Sequence, residues 1–599
     1  MIKFPYAIRD FYDVITEQYF YLDRTDRSPL IERAGKELLF MRPRRFGKSL
    51  LLSMLMNYYD VAKADEFELL FGDLAIGKNP TPLHNQYLVM HWDFSEVKSQ
   101  GTIEEMGKSL NKQINGSLEQ FIMYYKGWFD DPITLDEEDA MRSFKSVLAV
   151  MQTVPYKLYL FIDEYDNFAN EVMMGDHGNN RKRYEDFVMG EGVFKTIFKN
   201  IKSAGSGAGL DRVFITGISP IVMSDVTSGS VNKDITWRPY FNDLCGFRED
   251  EVRPLTAQII AGCGLPPEQA DEAMELMRIF YDGSRFTMRD AESAAKIYNP
   301  TSTIYFLEEL QEYCMYPERM LDKNLAADPK KLSYIADHPQ GSQLIMDALH
   351  EETVLKVTSI SDQFGMKDML KMDKQRDHLA SLLCYLGALT IRQRGRDGQW
   401  ILEIPNLVMR RFYAEQILDS MLPESHTLQA GLDAARSLYS GGDIEPLCSF
   451  IEEHDLTVFS NRDYQHANEL TIKTIFLALL YRDEYYIMDS EPEIQRTYGD
   501  LIMLIRTQLR YLDLYDILIE FKYLKLSEVE MTGVEVKAKS TEELKALCPV
   551  KEKFKGARTQ LMNYRQRLDA KYGDLLQLRT YAVVAIGFDK LLWEEVILD

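Results

Sequence analysis

Short apolar runs alternate with longer helical segments along roughly the first 255 residues of the chain. The runs cover residues 36–41, 87–94, 158–162 and 212–216, and none of them alternates strictly between apolar and polar residues. Strands that helices cover on both faces show this pattern, because neither face meets water. The pattern therefore predicts a mainly parallel sheet with helices on its faces, in an α/β domain over residues 1–255.

The region from 256 to 425 has apolar residues at helical spacing and is predicted to be mainly helical. Near its end, a helix predicted at 377–386 precedes two apolar runs, 388–392 and 400–404, which an Asp-Gly turn separates. A helix followed by a hairpin is typical of a winged-helix module. The alternative, which we prefer, is a lid or spacer for the first domain that binds nothing.

The last region, residues 426–599, begins with helices and continues with strands. The strands are predicted at 485–488, 500–505, 516–523 and 580–586, with a helix at 551–569 before the last one. This order predicts a small α/β domain. The strand at 516–523 is apolar on both faces apart from Glu520 and Lys522, so we expect it to be central and buried.

The composition is that of an ordinary globular protein of several domains, with 599 residues, 46% hydrophobic and 27% charged. The net charge of −24 repels phosphates, so any DNA contact must be confined to a local surface. The chain has no run of 18 apolar residues and no signal peptide at its start, so we expect a cytoplasmic protein without membrane contact. Its six cysteines are scattered, and we expect separate reduced thiols.

A phosphate-binding loop is predicted directly after the first apolar run. The sequence RPRRFGKSL leads into a helix, and backbone amides at such a helix start bind phosphate oxygens. Lys48 would add a charge for the β and γ phosphates, and Ser49 would be a magnesium ligand. Arg42 stands where the P-loop pattern has its first glycine, so the loop entry must differ from the common geometry. The predicted nucleotide-binding residues of the loop are Pro43, Arg44, Arg45, Phe46, Gly47, Lys48, Ser49 and Leu50.

The strand KLYLFIDEYD supplies the second half of this site. It ends in Asp163 and Glu164, at the edge of the sheet where ligands bind in open α/β folds. We expect Asp163 to hold magnesium through its water shell and Glu164 to be the catalytic residue that polarises the attacking water. Thr216 or Ser219 could sense the γ-phosphate, although such residues end strands equally often for turn reasons. The candidates for neutralising transition-state charge, between which the sequence does not choose, are Arg44, Arg45 and Arg212.

A second acidic site is predicted in the last domain. If the strands around Arg510 form a symmetric hairpin, Asp500 lies opposite Glu520, with Cβ atoms within about 5.5 Å. Charges inside a central strand are costly unless they are paired or bind metal. Asp500 and Glu520 as metal ligands, with Lys522 activating water, would make a catalytic site for phosphodiester hydrolysis, which we favour over a purely structural ion pair. Further candidates are Gln560 and Tyr564 on the following helix, and Glu469, Glu491 and Glu493, which fit surface charges better.

The chain also contains the motifs YLDRTD, RPRRFGKS, FIDEYD, ITGISP, LCGF followed by EV, YNP, and GDLIM with IEFK. With these motifs it resembles, over most of its length, a large group of bacterial proteins that join an AAA-ATPase-like domain to a C-terminal PD-(D/E)XK nuclease-superfamily domain. Gly499 precedes Asp500 where the superfamily often has proline, so that match rests on Asp500 alone. The resemblance implies ATP binding at Gly47, Lys48, Ser49 and Asp163, and a nuclease site with Mg²⁺ or Mn²⁺ at Asp500, Glu520 and Lys522, with Gln560 downstream.

The predicted fold is therefore α/β, with a P-loop NTPase sheet domain at 1–255, a helical or winged-helix-like region at 256–425 and a restriction-endonuclease-like domain at 426–599. We expect an ATP-hydrolysing protein with metal-dependent DNA cleavage, in defence or mobile-element biology. The alternative is a nucleotide-controlled switch or scaffold whose nuclease-like domain only binds a partner. A small-molecule kinase would leave the later regions without a task. The expected partners are ATP and DNA, and assembly into a homo-oligomer stays open.

Overall fold

The computed structural model describes most of the chain. The described residues are 1–174, 180–188, 192–205, 209–226, 232–289, 291–320, 334–335, 339–349, 355–369, 375–421, 425–455, 469–488 and 501–597. They form two compact units. The N-terminal unit comprises Met1–Met315, Asp322–Gly341 and Leu355–Asn406, and the C-terminal unit comprises Tyr316–Leu321, Ser342–Val354 and Leu407–Asp599.

The N-terminal unit is built on a five-stranded parallel sheet, which confirms the predicted parallel arrangement. Its strands are β1 (Glu37–Met41), β2 (Tyr87–Asp93), β3 (Lys157–Asp163), β4 (Leu210–Gly217) and β5 (Lys233–Asp234). They lie in the order β2-β3-β4-β1-β5, and every neighbouring pair is parallel. Because parallel strands end at the same edge, the segments that follow β1, β3 and β4 come together there.

Helices pack around this sheet and fix the start of the helix that follows β1. The helices are α1 (Phe11–Thr16), α2 (Ser28–Ala34), α3 (Lys48–Tyr59), α4 (Phe67–Phe71), α5 (Ile103–Tyr124), α6 (Ala140–Met151), α7 (Asn167–Met174), α8 (Asn180–Val188), α9 (Val193–Ala204), α10 (Ile221–Val226), α11 (Glu249–Gly262), α12 (Glu268–Tyr281) and α13 (Pro300–Tyr313). Leu52 and Leu55 of α3 are almost fully buried in one apolar core with Phe161 and Phe214 of the sheet. This burial holds the first turn of α3 at the carboxyl edge of the strands.

The middle region contains the predicted helix and hairpin. Its elements are α14 (Pro339–Leu349), β6 (Leu355–Val357), α15 (Met366–Met369), α16 (Gln375–Tyr385), β7 (Thr390–Arg394) and β8 (Trp400–Glu403). The strands form an antiparallel sheet in the order β6-β8-β7. Residues 377–385 of α16 are all buried, so this helix offers no face for reading a DNA groove. Trp237 Nε1 donates a hydrogen bond of 2.8 Å to the Tyr385 hydroxyl, which favours the lid or spacer interpretation.

One pair of cysteines contradicts the prediction of six separate thiols. Cys263 and Cys314 form a disulfide, with their Cα atoms 5.5 Å apart. Each cysteine directly follows a helix, α11 and α13, and these two helices pack on each other. The two positions are 51 residues apart, so only the helix packing brings them together. The remaining cysteines are free thiols, of which Cys245, Cys384 and Cys448 are buried and Cys548 is exposed.

The C-terminal unit has its own five-stranded sheet. Its elements are α17 (Leu407–Met421), α18 (Ser425–Gly441), α19 (Glu445–Phe450), α20 (Glu469–Leu480), β9 (Tyr486–Met488), β10 (Leu501–Ile505), β11 (Asp516–Leu524), α21 (Gly533–Ala538), α22 (Thr541–Lys545), α23 (Cys548–Tyr572), β12 (Leu578–Ile586) and β13 (Lys590–Glu595). The strand order is β13-β12-β11-β10-β9, so β11 is central, as predicted. Strand β13, which pairs antiparallel with β12, is not among the predicted strands. None of the helices described in either unit combines the length and apolarity that a bilayer crossing requires.

The predicted hairpin register is confirmed where the structure describes it. Leu501 pairs with Ile519 and Met503 with Ile517, so the residue numbers of each pair sum to the same value as Asp500 and Glu520. One face of β11 carries Leu518 and Leu524, which pack with the apolar side of α23 in a single core. Helix α23 therefore lies over the face of the sheet that also carries the charged pair of β11.

A buried carboxylate holds the end of this hairpin. Asp516 is fully buried and accepts hydrogen bonds from the backbone amides of Ile505, at 2.8 Å, and Gln577, at 2.9 Å. Arg510 Nη1 also donates to Asp516 Oδ2 at 2.8 Å. Because Ile505 is the last residue of β10 and Gln577 precedes β12, one side chain of β11 joins three neighbouring strands. The register of the central strands depends on this contact.

We expect Asp516→Ala to weaken the hairpin locally, because it leaves buried backbone amides and Arg510 without their acceptor. The free energy of local opening should fall by about 2 kcal/mol, which corresponds to roughly 30-fold faster amide exchange. Hydrogen exchange followed by mass spectrometry on peptides covering residues 501–524 measures this. The matched control is Asp513→Ala, which removes an exposed carboxylate three residues away. Equal exchange in the two variants would contradict the role given to Asp516.

Candidate nucleotide site and second acidic site

The loop between β1 and α3 has the backbone shape of a phosphate-binding loop. Gly47 precedes α3 with φ 89°, and Arg45 has φ 68°, both in the left-handed region. A left-handed conformation is costly for a residue with a side chain, and such strain is typical of functional loops. The Lys48 ammonium is buried and donates to the carbonyls of Arg42, at 3.0 Å, and Pro43, at 3.1 Å. Burial lowers the pKa of Lys48, and the nearby Asp163 charge opposes that shift.

Arg42 explains why the loop lacks its usual first glycine. Its side chain is 1% exposed and donates to the carbonyls of Met41, at 2.9 Å, Thr236, at 3.0 Å, and Phe241. The guanidinium also lies over the ring of Phe286, 4.2 Å from its centroid. Burial lowers the pKa of Arg42 to about 10. Arg42 is therefore a structural anchor below the loop, and it ties the end of β1 to the segment after β5.

Asp163, at the end of β3, connects three strand ends. Its Oδ2 accepts a hydrogen bond of 2.6 Å from Ser49 Oγ at the start of α3, and its Oδ1 accepts one of 2.5 Å from Thr216 Oγ1 on β4. The backbone amide of Glu164 donates to the same Oδ1 at 2.9 Å. A carboxylate and a hydroxyl in contact are oxygen donors of the kind Mg²⁺ prefers, so the pair Ser49 and Asp163 fits a magnesium ion.

Glu164 stands at the open side of this cluster. It is half-buried, and its φ of 49° is in the left-handed region. Burial raises the pKa of the Glu164 carboxyl, as does the neighbouring Asp163 charge, whereas Lys48 and Arg44 lower it. Two carboxylates beside two cations at one strand end are a suitable arrangement for orienting a water against a phosphoryl group.

A second carboxylate of the same strand end has a different role. Asp166 is fully buried and accepts hydrogen bonds from the amides of Ile218, at 3.0 Å, and Ser219, at 2.8 Å, and from Asn170 Nδ2, at 2.6 Å. The loop after β3 is thereby fixed to the loop after β4. Of the two sensor candidates, Thr216 therefore contacts the nucleotide-site carboxylate, whereas Ser219 belongs to this structural layer. Asp166 was not predicted as an anchor, although its place three residues after Asp163 was the available signal.

A cavity of about 350 Å³ opens beside the loop. The P-loop from Arg44 to Leu51 and Glu164 form one wall, and the other walls come from residues 5–9, 20–24, 244–247 and the start of α13. Aromatic and aliphatic side chains of these walls, including Phe20, Tyr21 and Phe247, suit the flat apolar surface of a base. The motifs YLDRTD and LCGF thus contribute to the walls of this cavity, which the sequence does not predict.

The motif residue Arg24 fixes two of these walls to each other. Its guanidinium donates to Glu251 Oε1, at 2.6 Å, and Oε2, at 2.8 Å. It also donates to the carbonyls of Asp243, at 2.7 Å, and Gly246, at 3.2 Å. A buried bidentate pair with two further acceptors is well compensated, so Arg24 holds the loop at 244–247 against the N-terminal segment.

The three arginine candidates occupy different places. Arg44 and Arg45 both line the cavity. Arg212 is near the opposite end of β4, where it donates to the Tyr87 hydroxyl, at 3.2 Å, and the Gly35 carbonyl, at 3.0 Å. Four residues of strand separate it from Thr216, or about 13 Å. The suggestion that Arg212 neutralises phosphate charge is therefore wrong.

The second acidic site is described in part. Glu520 is 1% exposed, and its Oε1 accepts a hydrogen bond of 2.7 Å from Lys522 Nζ. Asp500 lies outside the described residues, as do Glu491 and Glu493, and of Glu469 only the backbone is described. Within the described part of the chain, no group of three His, Cys, Asp or Glu side chains could hold a metal ion. The hairpin register continues towards Asp500 opposite Glu520, so the predicted pairing remains a prediction.

Gln560 lies on α23, the helix that covers this face of the sheet. Residues Lys553, Gln560 and Arg567 are seven apart and therefore share one flank of the helix. The opposite flank is held to β13, because Arg558 donates to Glu594 Oε1 and Oε2 at 2.5 and 2.7 Å. The flank with Gln560 therefore faces the opposite direction along the same face of the sheet, towards β10.

The comparisons with known proteins concern the N-terminal unit most directly. No curated protein matches the chain. Among solved structures, that of the Aeropyrum pernix ORC1 protein in complex with DNA aligns with 69% of this chain and 98% of its own, at 11% identity and a TM-score of 0.20. A TM-score this low does not establish a common fold. Residues 5–227, which contain the P-loop, Asp163 and Thr216, match the model of a family described as predicted AAA-ATPase, and this match supports ATP binding by the N-terminal unit.

Proposed function

We propose that the N-terminal unit binds and hydrolyses ATP and that the C-terminal unit cleaves DNA phosphodiester bonds with a divalent metal. The observation that carries the first part is the Asp163 cluster, which brings Ser49 and Thr216 together beside Lys48 at the carboxyl edge of a parallel sheet. The nuclease proposal does not depend on the ATPase proposal, since the two sites share only the chain in which they occur. Each part therefore has its own test.

The residues of the N-terminal site divide the work of hydrolysis. Backbone amides at the start of α3 would bind phosphate oxygens, and Lys48 would leave its two carbonyl acceptors for the β and γ phosphates. Magnesium, held by Ser49 with Asp163 close by, supplies neutralisation of phosphate charge when it is bound. Glu164 accepts a hydrogen bond from the attacking water and orients it, and Thr216 keeps the Asp163 carboxylate in place.

The C-terminal site would take its residues for phosphodiester hydrolysis from β11 and from Asp500, which precedes β10 in the sequence. Asp500 and Glu520 would hold a magnesium or manganese ion, which lowers the pKa of water bound to it. Lys522 is positioned by its contact with Glu520 to orient a water near that pair. A buried Glu–Lys pair of structural value alone would explain the contact equally well, but not the opposed carboxylate that the register predicts.

Helix α23 carries a local basic surface that could bind DNA although the chain as a whole is acidic. Between residues 548 and 572, helix α23 has seven lysines and arginines against two acidic residues, in a chain of net charge −24. Lys553 and Arg567 of this helix lie on the flank that faces β10, on either side of Gln560. Phosphates of a DNA strand could follow this flank towards Glu520. The proposed partners are therefore ATP and DNA.

The second candidate function is a nucleotide-controlled switch whose C-terminal unit binds a partner without chemistry. The Glu520–Lys522 pair and the overall negative charge favour it. Defence or mobile-element biology is a proposed setting for either function. Assembly into a homo-oligomer is part of neither proposal.

Lys48→Ala and Glu164→Gln should separate ATP binding from hydrolysis. Lys48→Ala removes a buried charge from the phosphate site, so nucleotide affinity should fall by at least about 100-fold. Glu164→Gln keeps the shape but cannot accept the water's proton, so kcat should fall by about 10²- to 10⁴-fold with affinity within a few-fold of wild type. Fluorescent-nucleotide titration and phosphate release measure the two quantities. Normal turnover in folded Glu164→Gln would reject the role of Glu164.

Glu520→Gln tests the nuclease. Plasmid and single-stranded DNA are incubated with the full chain and magnesium or manganese, with and without ATP. We expect metal-dependent cleavage that Glu520→Gln reduces by at least about 100-fold, because a metal ligand loses its charge. The control Glu552→Gln neutralises an exposed carboxylate on α23 and should cut like wild type. Absence of cutting by the wild type under every condition, with ATPase activity intact, would support the switch.

The basic flank of α23 gives a separate prediction about DNA affinity. Lys553→Ala with Arg567→Ala should lower affinity and reduce the slope of log K against log salt by about 1.8, the value for two phosphate contacts. The control is Lys551→Ala with Arg565→Ala, which removes the same charge from the flank facing β13. Fluorescence anisotropy at several salt concentrations, without divalent metal, measures the slopes. Equal slopes for the two double variants would place the DNA elsewhere.

A further inference from the structure

Arg44 of the P-loop is held at a defined place in the N-terminal site. Arg44 lines the cavity with Lys48 and Glu164, and its side chain is exposed to it. Its Nη2 donates a hydrogen bond of 2.7 Å to Asn167 Oδ1. Asn167 is buried, begins α7, and donates its own backbone amide to the Glu164 carbonyl at 3.0 Å. The guanidinium is thus held at the turn that carries the proposed catalytic carboxylate.

Arg45, the next residue of the loop, is held by a different element. Its carbonyl accepts a hydrogen bond of 2.9 Å from Thr301 Oγ1 of α13, so its backbone belongs to the wall that α13 forms. The two adjacent arginines therefore face different parts of the cavity.

The geometry points to Arg44 as the residue of this same chain that neutralises charge on the γ-phosphoryl group during ATP hydrolysis, an inference that rests on the proposed ATPase function. In that reaction the water oxygen bonds to the γ-phosphorus while the bond to the β–γ bridging oxygen breaks. The electron pair of the broken bond stays with ADP, and the water's proton passes through Glu164 to phosphate. Charge accumulates on the γ and bridging oxygens, where a planar guanidinium binds best.

Asn167 is the positioning residue for this task. Its amide oxygen accepts a hydrogen bond from the guanidinium and holds Arg44 at the turn that begins with Glu164. A donor that is already oriented loses less freedom when the phosphoryl charge develops. Because Arg44 belongs to the loop that binds the phosphates, a neighbouring subunit is not needed to supply this charge.

Arg44→Gln should lower kcat by about 10³-fold while the affinity for a non-hydrolysable ATP analogue stays within about threefold of wild type. Arg44→Lys should have a kcat between those of Arg44→Gln and wild type, because lysine restores the positive charge but not the planar pair of guanidinium donors. The matched control is Arg33→Gln, which removes an exposed guanidinium of α2 outside the cavity and should leave kcat within about twofold of wild type. Affinity for ADP with aluminium fluoride, which mimics the transferring group, should fall in Arg44→Gln far more than affinity for the ATP analogue. A purely structural role would lower both affinities alike.

A mixing experiment separates this inference from an arginine supplied by another subunit. Arg44→Gln binds ATP but lacks the guanidinium, whereas Lys48→Ala has the guanidinium but does not bind ATP. Mixtures of the two should stay inactive if Arg44 acts within its own chain, and recovery of turnover would overturn the inference. If Glu164→Gln loses hydrolysis while Arg44→Gln retains it, the ATPase proposal stands and the role of Arg44 fails. If the wild type does not hydrolyse ATP, both fail.

Discussion

One carboxylate joins the ends of the strands on which the N-terminal site depends. Asp163 follows β3, Thr216 ends β4, and Ser49 lies on the helix after β1, so its hydrogen bonds span three segments of the sheet. The parallel arrangement makes this possible, since all three segments leave the sheet at the same edge. A shift of one residue in either strand would turn the aspartate or the threonine to the other face.

Two buried polar side chains help to fix the register of the parallel strands. Asp166 ties the loop after β3 to the loop after β4, and Arg42 ties the end of β1 to the segment after β5. Each makes two or more hydrogen bonds to the backbone, which offset part of the cost of its burial, although Arg42 Nε has no partner among the described residues. The residues with left-handed backbone, Glu164 and Arg45, are two or three positions from these anchors along the chain. Strain of this kind persists only where the surrounding structure fixes it.

The sequence predicted the parts of the fold that depend on local pattern. Apolar runs without alternation predicted β1 to β4, because both sheet faces are covered, and the spacing of Asp500 and Glu520 predicted the observed hairpin register. The cavity walls at residues 5–9 and 244–247 were not predicted, since no local pattern shows which remote segments meet. The disulfide between Cys263 and Cys314 was missed for the same reason. Strand β13 was missed because its short apolar stretch ends in two glutamates and resembles a solvated terminus.

The position of Arg44 changes what regulation of the N-terminal unit would require. A chain that supplies its own transition-state charge can hydrolyse ATP without a neighbour, so control has to act on the loop itself. One of the contacts of the loop is suited to this: a Cβ at Gly387 would lie 2.8 Å from Pro43 Cγ, and the Pro43 carbonyl also accepts a hydrogen bond from Lys48. Gly387 connects α16 to β7. A movement of the helix and hairpin region would therefore displace Pro43 and, with it, the loop that carries Arg44. Conversely, phosphate binding at Lys48 would change the position of Pro43 against Gly387.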